Sequence, residues 1–129
     1  MLGHAFDCAS EYTDHPPRDS YLKNRLRDPN FIFLAALHEG RVVGGLVAYV
    51  LHKFEQERSE VYIYDLAVRE ACRRQGVATE LIEALKPIAR DCAAHVLFVQ
   101  ADGDDGPAIA LYDTVGVRAR VLHFDIPLT

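Results

Sequence analysis

The sequence has no tryptophan, one methionine and only three cysteines, Cys8, Cys72 and Cys92, with no CxxC spacing. An odd, scattered set does not make a disulfide framework, so reduced thiols and a cytoplasmic setting are expected. The six histidines are dispersed as well, so no metal site is expected. Long apolar runs are lacking. The longest, Val42 to Leu51, is interrupted by Gly44-Gly45 and is too short to cross a bilayer. Met1-Leu2-Gly3-His4 lacks a basic stretch followed by an apolar one, so no signal peptide and no membrane association are expected. Positive charge is in deficit: 14 Lys and Arg against 19 Asp and Glu give a formal net charge of -5. Such a chain is poorly suited to nucleic acid or an anionic membrane and better suited to a cationic ligand. Repeats, linkers and low-complexity segments are absent too.

What remains is the composition of one globular domain over residues 1–129, half hydrophobic and 26% charged, with enough chain to bury a core. After the break at His15-Pro16-Pro17, Asp19 or Ser20 can cap a short helix running to about Arg27. Phe31 to Leu37 reads as a buried strand, His38 to Arg41 as a turn, and Val42 to Phe54 as a long strand. Gly44-Gly45 inside that strand implies a bulge or a close backbone approach. Glu60 to Val68 is a third strand, rich in Val, Ile and Tyr. The period then lengthens: Ala78, Leu81, Ile82, Leu85, Ile88 and Ala89 give a helix over Val77 to Asp91. Pro87 should kink it or tighten its last turns. His95 to Gln100 reads as a strand, Pro107 to Val115 as a helix with Pro in its first turn, and Val117 to Ile126 as a final strand. The element order is ααβββαβαβ, a mixed α/β domain with one sheet.

Chemistry concentrates between the third strand and the long helix. There Arg73-Arg74-Gln75-Gly76-Val77-Ala78 joins a basic loop to a helix start. Unsatisfied amides and the positive dipole end suit phosphate, and Gly76 and the small Ala78 permit close approach. A solvated basic turn before an ordinary helix would read the same way. A Walker loop is excluded because GxxxxGK is absent, and a Rossmann fingerprint because GxGxxG is absent.

Arg73-x-x-Gly76-x-Ala78, following Leu66-Ala67-Val68, resembles the acetyl-CoA pyrophosphate motif (Q/R-x-x-G-x-G/A) of the GNAT superfamily of N-acetyltransferases. Ala110-Leu111-Tyr112-Asp113-Thr114-Val115-Gly116-Val117 is similar to the superfamily's A-x-x-L-Y-x-x-x-G-F segment, with Val117 in place of the usual aromatic. A closer likeness runs from about Ser20 onward. Lys53 to Gln56, Ser59 to Val68, Arg73 to Gly76, Val99 to Asp102, Asp104-Asp105 and His123 to Ile126 together resemble the gentamicin-acetylating aminoglycoside 3-N-acetyltransferases. The resemblance implies the GNAT fold, α/β (α+β), with one mixed, mostly antiparallel sheet flanked by helices. It also implies acetyl-CoA as cosubstrate. Family members carry a strand before the first helix, and the expectation here is a chain that begins after it. The strand from Phe31 would then be an apolar edge that a partner copy, as in a homodimer, could cover.

The resemblance further implies a division of labour. Leu66, Ala67 and Val68 would pair with the pantetheine amides. The backbone from Arg73 through Arg74, Gln75, Gly76 and Val77 to Ala78 would grip the pyrophosphate. Tyr112 is the candidate acid for the leaving thiolate. A Tyr near pKa 10 and a thiol near 8.5 make that transfer uphill by about 2 kcal/mol, a small barrier. The alternative is a packing role at the helix end. Asp65 interrupts an apolar strand, where a carboxylate is costly without a partner. It is the candidate base, by a raised pKa or by orienting the amine, with a structural ion pair as the alternative. Glu55 is a second candidate base. Asp102, Asp104, Asp105 and Asp125 would meet the ammonium groups of an aminoglycoside. One such pair at about 4 Å contributes about 4 kcal/mol gross at an effective dielectric of 20. A merely solvated acidic loop is the alternative, and the ligand spacing of a calcium loop is missing. The expected activity is transfer of acetyl to the 3-amino group of a deoxystreptamine ring. The other readings are a polyamine or protein-amine acetyltransferase, or a non-catalytic CoA-binding module.

Overall fold

The computed structural model describes residues 17–129; the expectations about the chain before the first helix lie outside the described residues. Helix α1 covers Asp19–Arg27, with Asp19 in its first turn and Arg25 and Arg27 in its last, complementing the helix dipole. Asp28 then stops it: its carboxylate accepts from the Asn30 amide at 2.8 Å and turns the chain into strand β1, Phe31–His38.

Strand β2, Arg41–His52, returns antiparallel through a two-residue turn. Both turn residues, Glu39 and Gly40, have positive φ (51° and 79°), the twist that suits a tight hairpin. Strand β3, Ser59–Val68, pairs antiparallel with β2, and β4, Ala94–Val99, lies parallel to β3, giving the order β1-β2-β3-β4. A three-residue 3-10 turn, Glu70–Cys72, precedes helix α2, Val77–Asp91, and helix α3, Gly106–Val115, follows β4.

The core lies between α2 and one face of the sheet. Leu81, Ile82, Leu85 and Ala89 of α2 pack on Ile32, Leu46, Ala48, Val50, Val61 and Ile63. Helix α2 continues through Pro87, and its end tightens as expected. The Cys92 amide is shared between the carbonyls of Ile88 and Ala89, and the Ala93 amide reaches Arg90 at 3.0 Å. Gly44 marks a close backbone approach. A Cβ there would sit 3.1 Å from both the Ala67 carbonyl oxygen and Val77 Cγ1, so the start of α2 rests directly on the β2 backbone.

Two expectations are corrected. Strand β2 stops at His52 rather than Phe54, because Lys53 already bonds across the turn to Arg58; Phe54 is left fully exposed. The final strand expected over Val117 to Ile126 is not formed. A strand needs a ladder partner, and among the described residues the sheet ends at β4. The segment instead runs as an exposed tail without regular secondary structure, carrying Val121, Leu122, Phe124 and Ile126.

Candidate active site

Strands β3 and β4 pair only from Ser59/Ala94 to Ile63/Val99 and then separate. Beyond that point the β4-facing edge of β3, from Tyr64 to Val68, has no strand partner among the described residues, while its other edge stays bonded to β2. The parting produces a V-shaped opening, with the edge of β3 beyond the β4 ladder as one wall. Leu66, Ala67 and Val68 all lie on that wall.

A bulge in β3 sets the side chains there. Val47 faces Asp65 and its neighbour Ala48 faces Ile63, so Tyr64 is the extra residue. Before the bulge Val61 and Ile63 point into the core; after it Leu66 does. Without the extra residue Asp65 would share the buried face of Ile63. The bulge turns this carboxylate to the opposite face, which explains how a charged residue fits an apolar strand.

That face carries a run of rings. Phe31 meets Tyr49 edge-on at 5.5 Å, Tyr49 meets Tyr64 at 5.6 Å, Tyr64 meets Tyr62 at 5.9 Å, and Tyr62 stacks on Phe98 at 4.7 Å. The Tyr62 hydroxyl donates to Gln100 Oε1 at 2.8 Å, which ties the separating strands together at the mouth of the opening.

A cleft of about 420 Å³ occupies the opening. Asp65 and Leu66 line it from β3, Asp102 and Asp105 from the loop after β4, Tyr112 from α3, and Val121 and His123 from the tail. Asp105 also caps α3, accepting from the Ala108 amide at 3.2 Å, so Asp105 and Tyr112 are held by one short element. Burial raises the Tyr112 pKa above its ordinary value, and the charges of Asp105 and then Asp65 push it the same way. The phenol therefore keeps its proton throughout the neutral range.

At the other end of the β3 edge the chain turns into α2. Arg73 Nε donates to the Val68 carbonyl at 3.0 Å, and Arg69 Nε to the Val42 carbonyl at 2.7 Å, pinning the basic loop to the strand ends. Arg74 and Gly76 adopt left-handed conformations (φ 65° and 81°), which bend Arg73 to Gly76 around the first turn of α2. Gln75, Val77 and Ala78 complete that turn, whose first amides have no carbonyl partner within their own helix. The space around Gly76 is open: a Cβ there would meet nothing within 4 Å.

The remaining candidates lie elsewhere. Glu55 sits in the β2–β3 turn, beyond the paired end of β3, and is not among the cleft residues. A hydrogen bond from its own amide and the nearby Lys53, 3.4 Å away, lower its pKa, which weakens it as a base. Neither Asp104 nor Asp125 is among the cleft residues, and Asp125 bonds to His123 at 2.9 Å. Tyr62, Tyr64, Gln100 and His123 are cleft residues to which the sequence alone assigned no role. The alternation Tyr62-x-Tyr64 beside Asp65 was the available signal for the first two. No group of three or more metal-ligating side chains occurs among the described residues, and no helix among them is long and apolar enough to cross a membrane.

The sequence profile of the acetyltransferase (GNAT) family matches residues 2–117. The chain belongs to that family. Members of that family use acetyl-CoA as acetyl donor, and the separated β3 edge and the open start of α2 are features that fit such a molecule. Among solved structures it is similar to an aminoglycoside acetyltransferase from an uncultured soil metagenomic sample: 56% identity, TM-score 0.94, 98% of this chain and 85% of that one. A second aminoglycoside acetyltransferase of soil metagenomic origin, solved in complex with sisomicin, shares 32% identity and a TM-score of 0.89, over 99% and 88% of the two chains. A curated relative, an N-alpha-acetyltransferase of Saccharolobus solfataricus, is 27% identical over 109 residues; the match spans 76% of this GNAT chain and 63% of the relative.

Proposed function

We propose that this GNAT acetyltransferase acetylates an aminoglycoside, at the 3-amino group of the deoxystreptamine ring, and that it does so in the cytoplasm. The observation that carries the reading is the juxtaposition in one cleft of Asp65, Asp102 and Asp105 with a protonated tyrosine. Several carboxylates around one cleft suit an acceptor with several ammonium groups. The likeness to a 56% identical aminoglycoside acetyltransferase supports the same substrate class.

The donor would lie along Leu66, Ala67 and Val68, with its pyrophosphate against the backbone from Arg73 to Ala78. Bound there, acetyl-CoA supplies the activated acetyl group. Tyr112 holds its proton at the phenol oxygen, ready for the departing sulfur. Asp65 orients the acceptor amine, and Asp102 and Asp105 hold further ammonium groups. The tyrosine rings on β3 line one wall of the cleft.

The test is a thiol-release assay with acetyl-CoA against gentamicin, kanamycin, spermidine and a lysine peptide, with the product examined by NMR. Release with gentamicin and an acetyl group on the 3-amino nitrogen is the expected outcome. Acetylation at another amine would remove the positional claim. Release with the peptide alone would replace the aminoglycoside by a protein amine.

A further inference from the structure

The proposed function leaves open which group takes the proton of the acceptor's ammonium, since Asp65 is given an orienting role and Glu55 lies outside the cleft. The tail that fails to form a strand brings a different group there. His123 lines the cleft, and its Nε2 lies 2.9 Å from Asp125 Oδ1. The two residues lie two positions apart in the tail, and their side chains meet directly. The imidazole is 65% exposed, so an acceptor can reach it.

We infer that His123 is the general base of the acetyl transfer and that Asp125 is its positioning residue. This inference rests on the proposed function for the identity of the acceptor. An ionised carboxylate only accepts hydrogen bonds, so Asp125 fixes the proton of the neutral imidazole on Nε2. Nδ1 is then left with its lone pair, and imidazole is the one side chain that ordinarily exchanges a proton near neutral pH. The charged and titratable groups around the cleft are Asp65, Tyr62 and Tyr64 on β3, Asp102 and Asp105 in the loop after β4, and Tyr112 on α3. Among the described residues, no Lys or Arg lines the cleft.

The steps balance. The acceptor ammonium gives one proton to His123 Nδ1, which passes it to solvent. The freed nitrogen lone pair forms the bond to the acetyl carbon, and the carbon–sulfur bond breaks. Tyr112 gives its proton to sulfur and is restored by the second proton leaving nitrogen. The products are the amide, the free thiol and one proton in solution.

The prediction concerns pH. His123→Gln should lower kcat/KM for gentamicin about 100-fold or more at pH 7, within the range for loss of a general base. Raising the pH supplies neutral amine directly, so the deficit should shrink to within about tenfold at pH 9.5. Asp125→Asn should show a smaller loss of the same pH form. A deficit that stays constant from pH 7 to 9.5 would overturn the base role, as would an effect on KM alone. Should His123→Gln fail to fold, nitrogen-15 NMR of the wild-type imidazole decides: the Nε2–H tautomer is expected, converting to a mixture in Asp125→Asn. The Nδ1–H tautomer in the wild-type protein would overturn the assignment. This readout needs no acceptor, so absence of gentamicin turnover by the wild-type enzyme would count against the proposed function and leave the His123 test standing.

Discussion

The two ends of strand β3 differ in one respect that organises the molecule. From Ser59 to Ile63 it is paired on both sides and sealed by α2, and Val61, Leu46, Ala48 and Leu85 are inaccessible to solvent. From Tyr64 to Val68 its one strand neighbour among the described residues is β2, and the cleft opens on the other side. One continuous strand thus serves as core at one end and as a binding wall at the other. The bulge at Tyr64 lies between them. It changes which face each side chain occupies, so that an aspartate can follow an isoleucine without entering the core. Packing and chemistry are separated by one extra residue.

This comparison can be broken from the closed side first. Leu85→Ala removes a fully buried side chain and should cost about 2–5 kcal/mol of stability, read as a denaturation midpoint, while the folded fraction keeps its catalytic constants. Gly44→Ala acts at the boundary. Its Cβ would press on the Ala67 carbonyl and on Val77, and relief requires α2 to lift from the sheet. A loss of about 1–3 kcal/mol is expected, together with weaker acetyl-CoA binding by calorimetry, because the first turn of α2 moves. On the open side, replacing Asp102 and Asp105 together by asparagine should raise the gentamicin KM about tenfold, an effect that shrinks in high salt. An unchanged KM would remove that loop from the acceptor site.

A smaller effect concerns alkaline pH. Burial raises the pKa of Tyr112, and of Tyr49 as well, above the value near 10 of an unfolded chain. The folded state therefore holds these protons more tightly than the unfolded state. Their contribution to stability is complete below about pH 10 and is lost as pH rises through the folded values. Thermal melts across pH 8 to 11 should show little dependence on these groups until pH 10. A loss of activity centred below pH 10 would belong to a group other than Tyr112.

Much of this was legible in the sequence, for physical reasons that can be named. The strand and helix periods of Phe31 to Asp91 follow from burial of one face. Gly44 signalled a backbone contact, and Pro87 a tightened helix end. The basic Gly-containing turn and Tyr112 were visible as residue types at a spacing. The bulge was not visible, because Tyr62-Ile63-Tyr64-Asp65 alternates smoothly and only the pairing with β2 shows the extra residue. The tail misled for the opposite reason. Val117 to Ile126 has strand-forming residues, but propensity cannot supply the missing ladder. Likewise Asp125 looked like one more carboxylate for a cation, and only its bond to His123 gave it a different neighbour.

The most direct test of the account compares Tyr112→Phe with the wild-type enzyme in two measurements on one preparation. The side chain keeps its packing and loses only the proton. Calorimetry should give the same affinity for acetyl-CoA within about twofold, while the single-turnover rate with gentamicin falls about 100-fold or more. A variant that binds acetyl-CoA normally and turns over at the wild-type rate would show that the cleft works without a proton from Tyr112, and would contradict the account at its centre.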